Sequence, residues 1–184
     1  MVESETGPED EPASLEAYVH ARLPALLRYA AVVTGDRTLA EDVVQEVLAR
    51  AHGRWGFISR TEHPEAYLKK MIVNEYLSWR RRWSRVQPVE SVPVPTSDLP
   101  DHASRHAERD ALRAELASLP RYQRVVLVLR YYEDLSDAQI ADVLGCSQGT
   151  VRGHASRALA KLRVNARLAA TAPHAGAEPR VVPS

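Results

Sequence analysis

The clearest structural signal in the 184-residue chain lies between Asp134 and Arg163, where the sequence reads DLSDAQIADVLGCSQGTVRGHASRALAKLR. Ser136 stands three residues before Gln139, which is the spacing of a capping box at the start of a helix. Gly145 suits the left-handed residue that ends such a helix, and Ser147 suits the cap of the next one. Two short helices joined by a glycine-containing turn predict a helix-turn-helix.

The second helix of this motif has a strongly basic composition, with five basic residues and no acid between Ser147 and Leu168. Its first turn carries Gln148, Thr150 and Arg152, side chains that can reach base edges in a major groove. The later basic residues suit contacts with phosphates. A solvated face on a plain helical bundle would show the same charges, but the caps, the turn and the apolar pattern all favour DNA binding.

A second basic stretch runs from Ala66 to Val86, with six basic residues and Glu75 as its one acid. Aromatic side chains interleave with these bases, a combination typical of surfaces that stack unpaired nucleotides and follow a backbone. Tyr76 and Trp79 fit a core position equally well. The basic run itself therefore predicts nucleic-acid binding, while the role of these two aromatic residues stays open.

An acidic stripe lies on the helix predicted to begin at Thr38, which stands three residues before Glu41 in a second capping box. Valines at helical spacing predict the buried face of this helix. Asp42, Gln45 and Glu46 fall on the opposite face and do not suit DNA. They fit either a docking surface for a protein partner or an ordinary solvated face.

Composition and proline placement predict an all-α chain of two small helical domains joined by an extended, proline-containing linker. Ala, Leu and Arg are abundant, and only eight glycines are present. Within the first domain, residues 55–63 are predicted to form a loop. The predicted divisions are an acidic disordered tail (1–14), a first domain (15–86), the linker (87–107), a second domain (108–168) and a disordered tail (169–184).

Several function classes are excluded or disfavoured by what the sequence holds. Cys146 is the single cysteine, so no intrachain disulfide or multi-cysteine zinc site can form. His102 and His106 have a helical spacing but no third ligand nearby, and no glycine-rich phosphate loop is present. We expect a cytoplasmic protein that is not an enzyme, has no membrane segment and needs no metal or cofactor.

Three segments together carry a resemblance to a known family. They are AEDVVQEVLARAHGRW (40–55), PEAYLKKMIVNEYLSWRRR (64–82) and LPRYQRVVLVLRYYEDLSDAQIADVLGCSQGTVRGHASRALAKLR (119–163). In order and spacing the chain resembles extracytoplasmic-function (ECF) sigma factors of the bacterial sigma-70 family, particularly those of actinobacteria. The resemblance covers about residues 15–165.

This resemblance implies a transcription initiation factor with sigma region 2 in the first domain and region 4 in the second. Its implied partners are core RNA polymerase, through the clamp and flap regions, promoter DNA and, in some relatives, an anti-sigma factor. In the holoenzyme such a protein is associated with the nucleoid. The implied polymerase-binding residues are Asp42, Gln45 and Glu46; the implied −10 element contacts are Asn74, Trp79, Arg80, Arg81 and Arg82; and the implied −35 element contacts are Gln148, Thr150, Arg152, His154, Arg157 and Lys161.

The chain departs from the common family pattern at three positions. Ser78 stands where many relatives have an acid, and Gly153 and His154 replace a serine and a basic residue of the recognition helix. Two other functions compete with the implied one: a transcriptional regulator that binds only duplex DNA, and an adaptor that sequesters a partner. The two separate basic surfaces disfavour the adaptor, and the aromatic residues among the bases of the first domain disfavour the regulator.

Overall fold

The computed structural model describes residues 14–83 and 111–171, with side chains as far as residues 78 and 167 of these ranges. Every element in the described ranges is a helix, which confirms the predicted all-α class. The helices are α1 (Leu15–Thr34), α2 (Arg37–His52), α3 (Trp55–Ile58), α4 (Pro64–Trp83), α5 (111–117), α6 (Arg121–Tyr131), α7 (Asp137–Leu144) and α8 (Gln148–Thr171).

The predicted linker, the N-terminal tail before Ser14 and the tail beyond Thr171 lie outside the described residues. The last helix, α8, continues to Thr171, past the predicted domain end at residue 168. None of the helices described is both long and apolar enough to cross a membrane.

The first helix, α1, has residues at both ends that suit helix termini. The Ser14 hydroxyl accepts a hydrogen bond from the Ala17 amide at 3.2 Å and caps the N-terminus. Gly35 ends the helix with a positive φ of 73°, a backbone conformation that glycine adopts without steric cost.

The predicted start of α2 at Thr38 is wrong, because Asp36 caps this helix. Asp36 follows the left-handed Gly35 in an extended conformation, and its carboxylate accepts a hydrogen bond from the Leu39 amide at 2.8 Å. Thr38 consequently lies inside the first turn of α2, so it cannot form the predicted capping box with Glu41. The acidic stripe nevertheless stays on the predicted face of the helix.

The predicted loop between α2 and α4 contains a short helix, α3, so the prediction of a loop throughout this segment is wrong. Its turn is closed by hydrogen bonds from the Phe57 and Ile58 amides to the Arg54 carbonyl at 2.9 and 3.0 Å. Ile58 is fully buried, so an apolar anchor holds this segment against the core.

The predicted helix-turn-helix is confirmed in α7 and α8. Ser136 and Gln139 form a complete capping box, and Gly145 has a φ of 62° at the end of α7. The Ser147 hydroxyl accepts a hydrogen bond from the Thr150 amide at 3.1 Å and so caps α8. One face of α8 is buried through Val151, Ala155 and Ala158.

The two domains pack against each other through α6. Six consecutive residues of this helix, 124–129, are buried, so α6 has no exposed face along this stretch. Arg124 donates hydrogen bonds to the Thr34 carbonyl of α1 and, at 3.1 Å, to the Leu119 carbonyl. The first and second domains therefore share one continuous core in this structure.

Candidate functional site

The acidic stripe is exposed on α2. Asp42, Gln45 and Glu46 are all accessible, at the i, i+3 and i+4 spacing that groups side chains on one side of a helix. The opposite face packs into the core through Val43, Val44 and Val47. A helix anchored in this way presents its polar stripe on a rigid support.

Glu46 is the member of the stripe with an ion-pair partner among the described contacts. Arg50, one turn further along α2, donates from Nε to Glu46 Oε1 at 2.9 Å and places Nη2 2.8 Å from the same oxygen. Its Nη1 lies 2.5 Å from Glu75 Oε2 on α4. Burial lowers the pKa of Arg50, but the hydrogen bonds and charges of Glu46 and Glu75 outweigh this effect, so the net pKa is raised.

In the central part of α4, one exposed residue stands between buried positions. Asn74 is exposed, and the next three residues, Glu75, Tyr76 and Leu77, are buried. Tyr76 is therefore a core residue, with its hydroxyl 3.5 Å from the Thr34 carbonyl oxygen, which resolves the choice left open by the sequence. Trp79, Arg80, Arg81 and Arg82 lie further along α4, and their side chains are outside the described residues.

The predicted −35 contacts lie along α8. Gln148, Thr150 and Arg152 are exposed at its N-terminal end. Arg157 is exposed and donates from Nε to the Gly153 carbonyl at 3.0 Å, while Lys161 donates to the Ser118 carbonyl at 2.6 Å. The structure thus groups these polar and basic side chains on the accessible part of one helix.

His154 is the predicted contact that the structure places differently from its neighbours. Its ring stacks on Tyr122 of α6 with 5.7 Å between ring centroids and 17° between planes, and its Nδ1 is buried. Burial, followed by the positive charge of Arg157, lowers the pKa of His154 below its usual 6.5. This shift favours the neutral imidazole, and Tyr122 lies against the ring.

A pocket of about 280 Å³ beside the recognition helix is lined by an arginine, Arg130, that was not among the predicted site residues. Arg130 of α6 lines it together with Arg152, and it also forms an ion pair with Asp137. The full lining is Arg130, Arg152, Ala155, Ser156, Leu159 and Arg163. Arg130 was missed because its distance from Arg152 in the sequence hides their proximity in the fold.

Arg50 and Glu75 were also missed as parts of the site. Glu75 was visible as the one acid in the basic stretch of α4, and Arg50 stands four residues after Glu46. Neither signal reveals that Arg50 of α2 forms an ion pair with Glu75 of α4. Within residues 14–83 and 111–171, no group of three or more His, Cys, Asp or Glu side chains is placed to hold a metal ion.

Two family models match the chain, one in each domain. Residues 18–86 match sigma-70 region 2, and residues 109–162 match sigma-70 region 4. Together the two matches cover more than half of the chain. The chain therefore belongs to the sigma-70 family of RNA polymerase sigma factors, which are transcription initiation factors.

Similarity to curated relatives makes the family assignment more specific. The chain is 39% identical over 156 residues to the RNA polymerase sigma-E factor of Streptomyces coelicolor, which covers 83% of this chain and 86% of that protein. It is 35% identical over 159 residues to the ECF RNA polymerase sigma factor SigL of Mycobacterium tuberculosis, covering 84% and 89% respectively. The predicted ECF resemblance is confirmed.

Solved structures share the fold. The sigma factor RpoE of Bartonella quintana, in complex with the anti-sigma factor NepR, aligns with a TM-score of 0.61 at 23% identity and covers 83% of this chain and 96% of that one. CnrH, in complex with the cytosolic domain of CnrY, aligns with a TM-score of 0.50 at 24% identity, covering 86% and 89%. A regulator that binds only duplex DNA is not favoured, because the first domain is sigma region 2.

Proposed function

We propose that this sigma factor docks on core RNA polymerase through the acidic stripe of α2 and reads promoter DNA through α4 and α8. The observation that carries the proposal is the division of charge among exposed helix faces. The stripe of Asp42, Gln45 and Glu46 is polar and acidic, whereas α8 has no acid along its whole length. An acidic surface suits a basic protein surface, and a basic surface suits the phosphates of DNA.

We assign recognition of the −10 element to α4 and propose that Asn74 holds an unpaired base. Its side chain is exposed, and an amide both donates and accepts hydrogen bonds, which suits the edge of a flipped base. The chain has no ATP-binding motif, so strand opening must draw on binding free energy. Unstacking a base costs a few kcal/mol, and stacking of about 1–3 kcal/mol per base plus hydrogen bonds can offset this.

The −35 element is assigned to α8. Arg152, near the start of the helix, is proposed to read a base, whereas Arg157 and Lys161 are proposed to contact phosphates. His154 stays a predicted contact through its ring edge, because Tyr122 covers one ring face. Gln148 and Thr150 complete the proposed reading surface at the exposed N-terminal turn.

A sigma factor acts with polymerase on DNA, so we place this chain in the cytoplasm, without enzymatic activity of its own and without a cofactor. An anti-sigma factor is included as a candidate partner, since the similar sigma factor RpoE is bound to one in its solved structure. The polymerase clamp and flap are the proposed docking regions.

Charge reversal on α2 tests the docking assignment. Asp42→Arg combined with Glu46→Arg should weaken binding of the full chain to core polymerase by more than tenfold, because two attractive contacts become repulsive. Titration of labelled protein against core polymerase measures the affinity. The matched control is Glu16→Arg with Glu62→Arg, which reverses two exposed acids elsewhere in the first domain. Equal affinity of the stripe variant and the parent would contradict the assignment.

A further inference from the structure

One guanidinium group connects the acidic stripe to the helix that carries Asn74. Arg50 lies on the exposed side of α2, four residues after Glu46 and eight after Asp42, so it continues the same stripe. It contacts Glu46 through Nε and Nη2, and Glu75 of α4 through Nη1. The same side chain therefore bridges a carboxylate at the surface and a carboxylate in the core.

The two carboxylates have very different surroundings. The Glu75 side chain is 3% exposed, whereas that of Glu46 is 52% exposed. A buried carboxylate needs charged or hydrogen-bonding partners, and removing a partner is costly. Glu75 consequently anchors one end of the Arg50 guanidinium firmly. The planar fork of arginine then fixes the direction of its other N–H groups, which point at Glu46.

We propose that Arg50 and Glu75 are positioning residues of the polymerase-docking surface. Arg50 holds the Glu46 carboxylate in one orientation before docking, and Glu75 holds Arg50. A side chain that is already ordered loses less conformational freedom when its partner arrives, which raises affinity without adding a contact. The inference rests on the proposed docking function of Glu46, and it extends that function to two residues that need not touch polymerase.

The Glu75 side chain also connects the docking surface to α4, the proposed promoter-binding helix. Glu75 follows Asn74 directly on α4, and the Ser78 hydroxyl donates to the Glu75 carbonyl at 3.1 Å. The Glu46–Arg50–Glu75 chain thus ties the exposed face of α2 to the backbone segment beside Asn74. This arrangement keeps the two surfaces in a fixed relation while both are occupied.

A double-mutant cycle separates positioning from simple stabilisation of the fold. Glu75→Gln and Glu46→Gln are made singly and together in the full chain, and affinity for core polymerase and thermal unfolding are measured for each. Glu75→Gln alone should weaken docking by about threefold to tenfold. In the Glu46→Gln background, the same Glu75 change should have little further effect on docking, because no carboxylate remains to be positioned.

The control variants address folding. Arg50→Met with Glu75→Leu replaces the ion pair by apolar side chains, which often preserves stability, and it should lose docking affinity as Glu75→Gln does. Glu65→Gln removes an acid that pairs with Lys69 at 3.0 Å in the first turn of α4, and it should leave docking unchanged.

The outcomes are distinguishable. A Glu75→Gln effect on docking that is equally large with and without the Glu46 carboxylate would overturn the positioning role. So would parent-like docking by both Glu75→Gln and the apolar pair. If Glu46→Gln itself docks as the parent does, the docking assignment of the stripe fails first, and the positioning role fails with it.

Discussion

At the scale of single residues, Gly153 is a position that lowers the stability of the recognition helix. Glycine in a helix interior costs about 1 kcal/mol relative to alanine. A Cβ added at residue 153 would have the Arg157 side chain at 3.6 Å as its nearest neighbour, an ordinary contact. We therefore expect Gly153→Ala to raise the free energy of unfolding by about 0.5–1 kcal/mol, measured by urea denaturation.

Gly149→Ala provides the matched control for this prediction, because Gly149 lies in the first turn of α8, where helix propensity contributes less. DNA binding is the second readout. If the bare backbone at Gly153 lets DNA approach closely, −35 affinity falls in Gly153→Ala while stability rises. A loss of stability in this variant would contradict the open surroundings seen at residue 153.

At the scale of helices, the start of α2 is the feature that the structure corrected. The Asp36 carboxylate lies 2.8 Å from the Leu39 amide, whereas Thr38 lies within the first turn. Asp36→Ala should lower the free energy of unfolding by about 1 kcal/mol, and Thr38→Ala should change it by less than about 0.5 kcal/mol. Thermal and chemical denaturation of the two variants would measure the difference. The reverse ranking would restore Thr38 as the cap.

Local signals predicted the helix ends within the helix-turn-helix. The Ser136–Gln139 box, Gly145 and Ser147 all have the predicted roles, since each depends on residues only a few positions apart. Asp36 and Thr38 are both good capping residues, so their sequence could not rank them. The choice between them depends on the backbone: Gly35 has a positive φ and Asp36 is extended, which places the Asp36 side chain at the start of α2.

The same distinction applies to the candidate site. The exposed stripe on α2 and the basic face of α8 follow from helical periodicity, which is local. The Arg50–Glu75 pair joins residues 25 positions apart, and the Arg124 bond to Thr34 joins residues 90 apart. Periodicity carries no information on such contacts, because they arise from the packing of one helix on another.

At the scale of the whole molecule, the two domains are held together by polar contacts around a shared core. Lys69 of α4 lies 3.0 Å from Glu133, which follows α6, and its ammonium group lies 5.4 Å from the centre of the Tyr29 ring. Arg124 bonds the carbonyl of Thr34 directly before Gly35. Because α6 of the second domain packs on the first domain in a shared core, we expect the stabilities of the two domains to be interdependent.

Gly35 and Gly145 form a natural pair for testing this interdependence. Both have positive φ, so an alanine at either position is strained by about 1 kcal/mol. A Cβ at residue 35 would also overlap the Arg124 guanidinium and lie 3.1 Å from the Ala117 Cα, whereas a Cβ at residue 145 meets nothing within 4 Å. Gly35→Ala should therefore destabilise the chain more than Gly145→Ala does, by more than about 1 kcal/mol.

Differential scanning calorimetry would measure both glycine variants. The two domains should unfold in one transition, since the shared core links them, and Gly35→Ala should lower the temperature of that transition. Equal destabilisation by the two variants, or separate transitions in the parent protein, would show that the domains do not depend on this contact.

Run-off transcription with core polymerase is the most direct test of the central claim, that this chain directs initiation and opens promoter DNA without ATP. The templates are a duplex promoter and the same promoter unpaired across its −10 element. The parent protein should start transcription at one site on both templates. Asn74→Ala should initiate poorly on the duplex and recover on the unpaired template, because the base it would hold is already out of the stack. A parent protein that gives no promoter-specific transcript on either template would contradict the account, and equal defects of Asn74→Ala on both would remove Asn74 from strand opening.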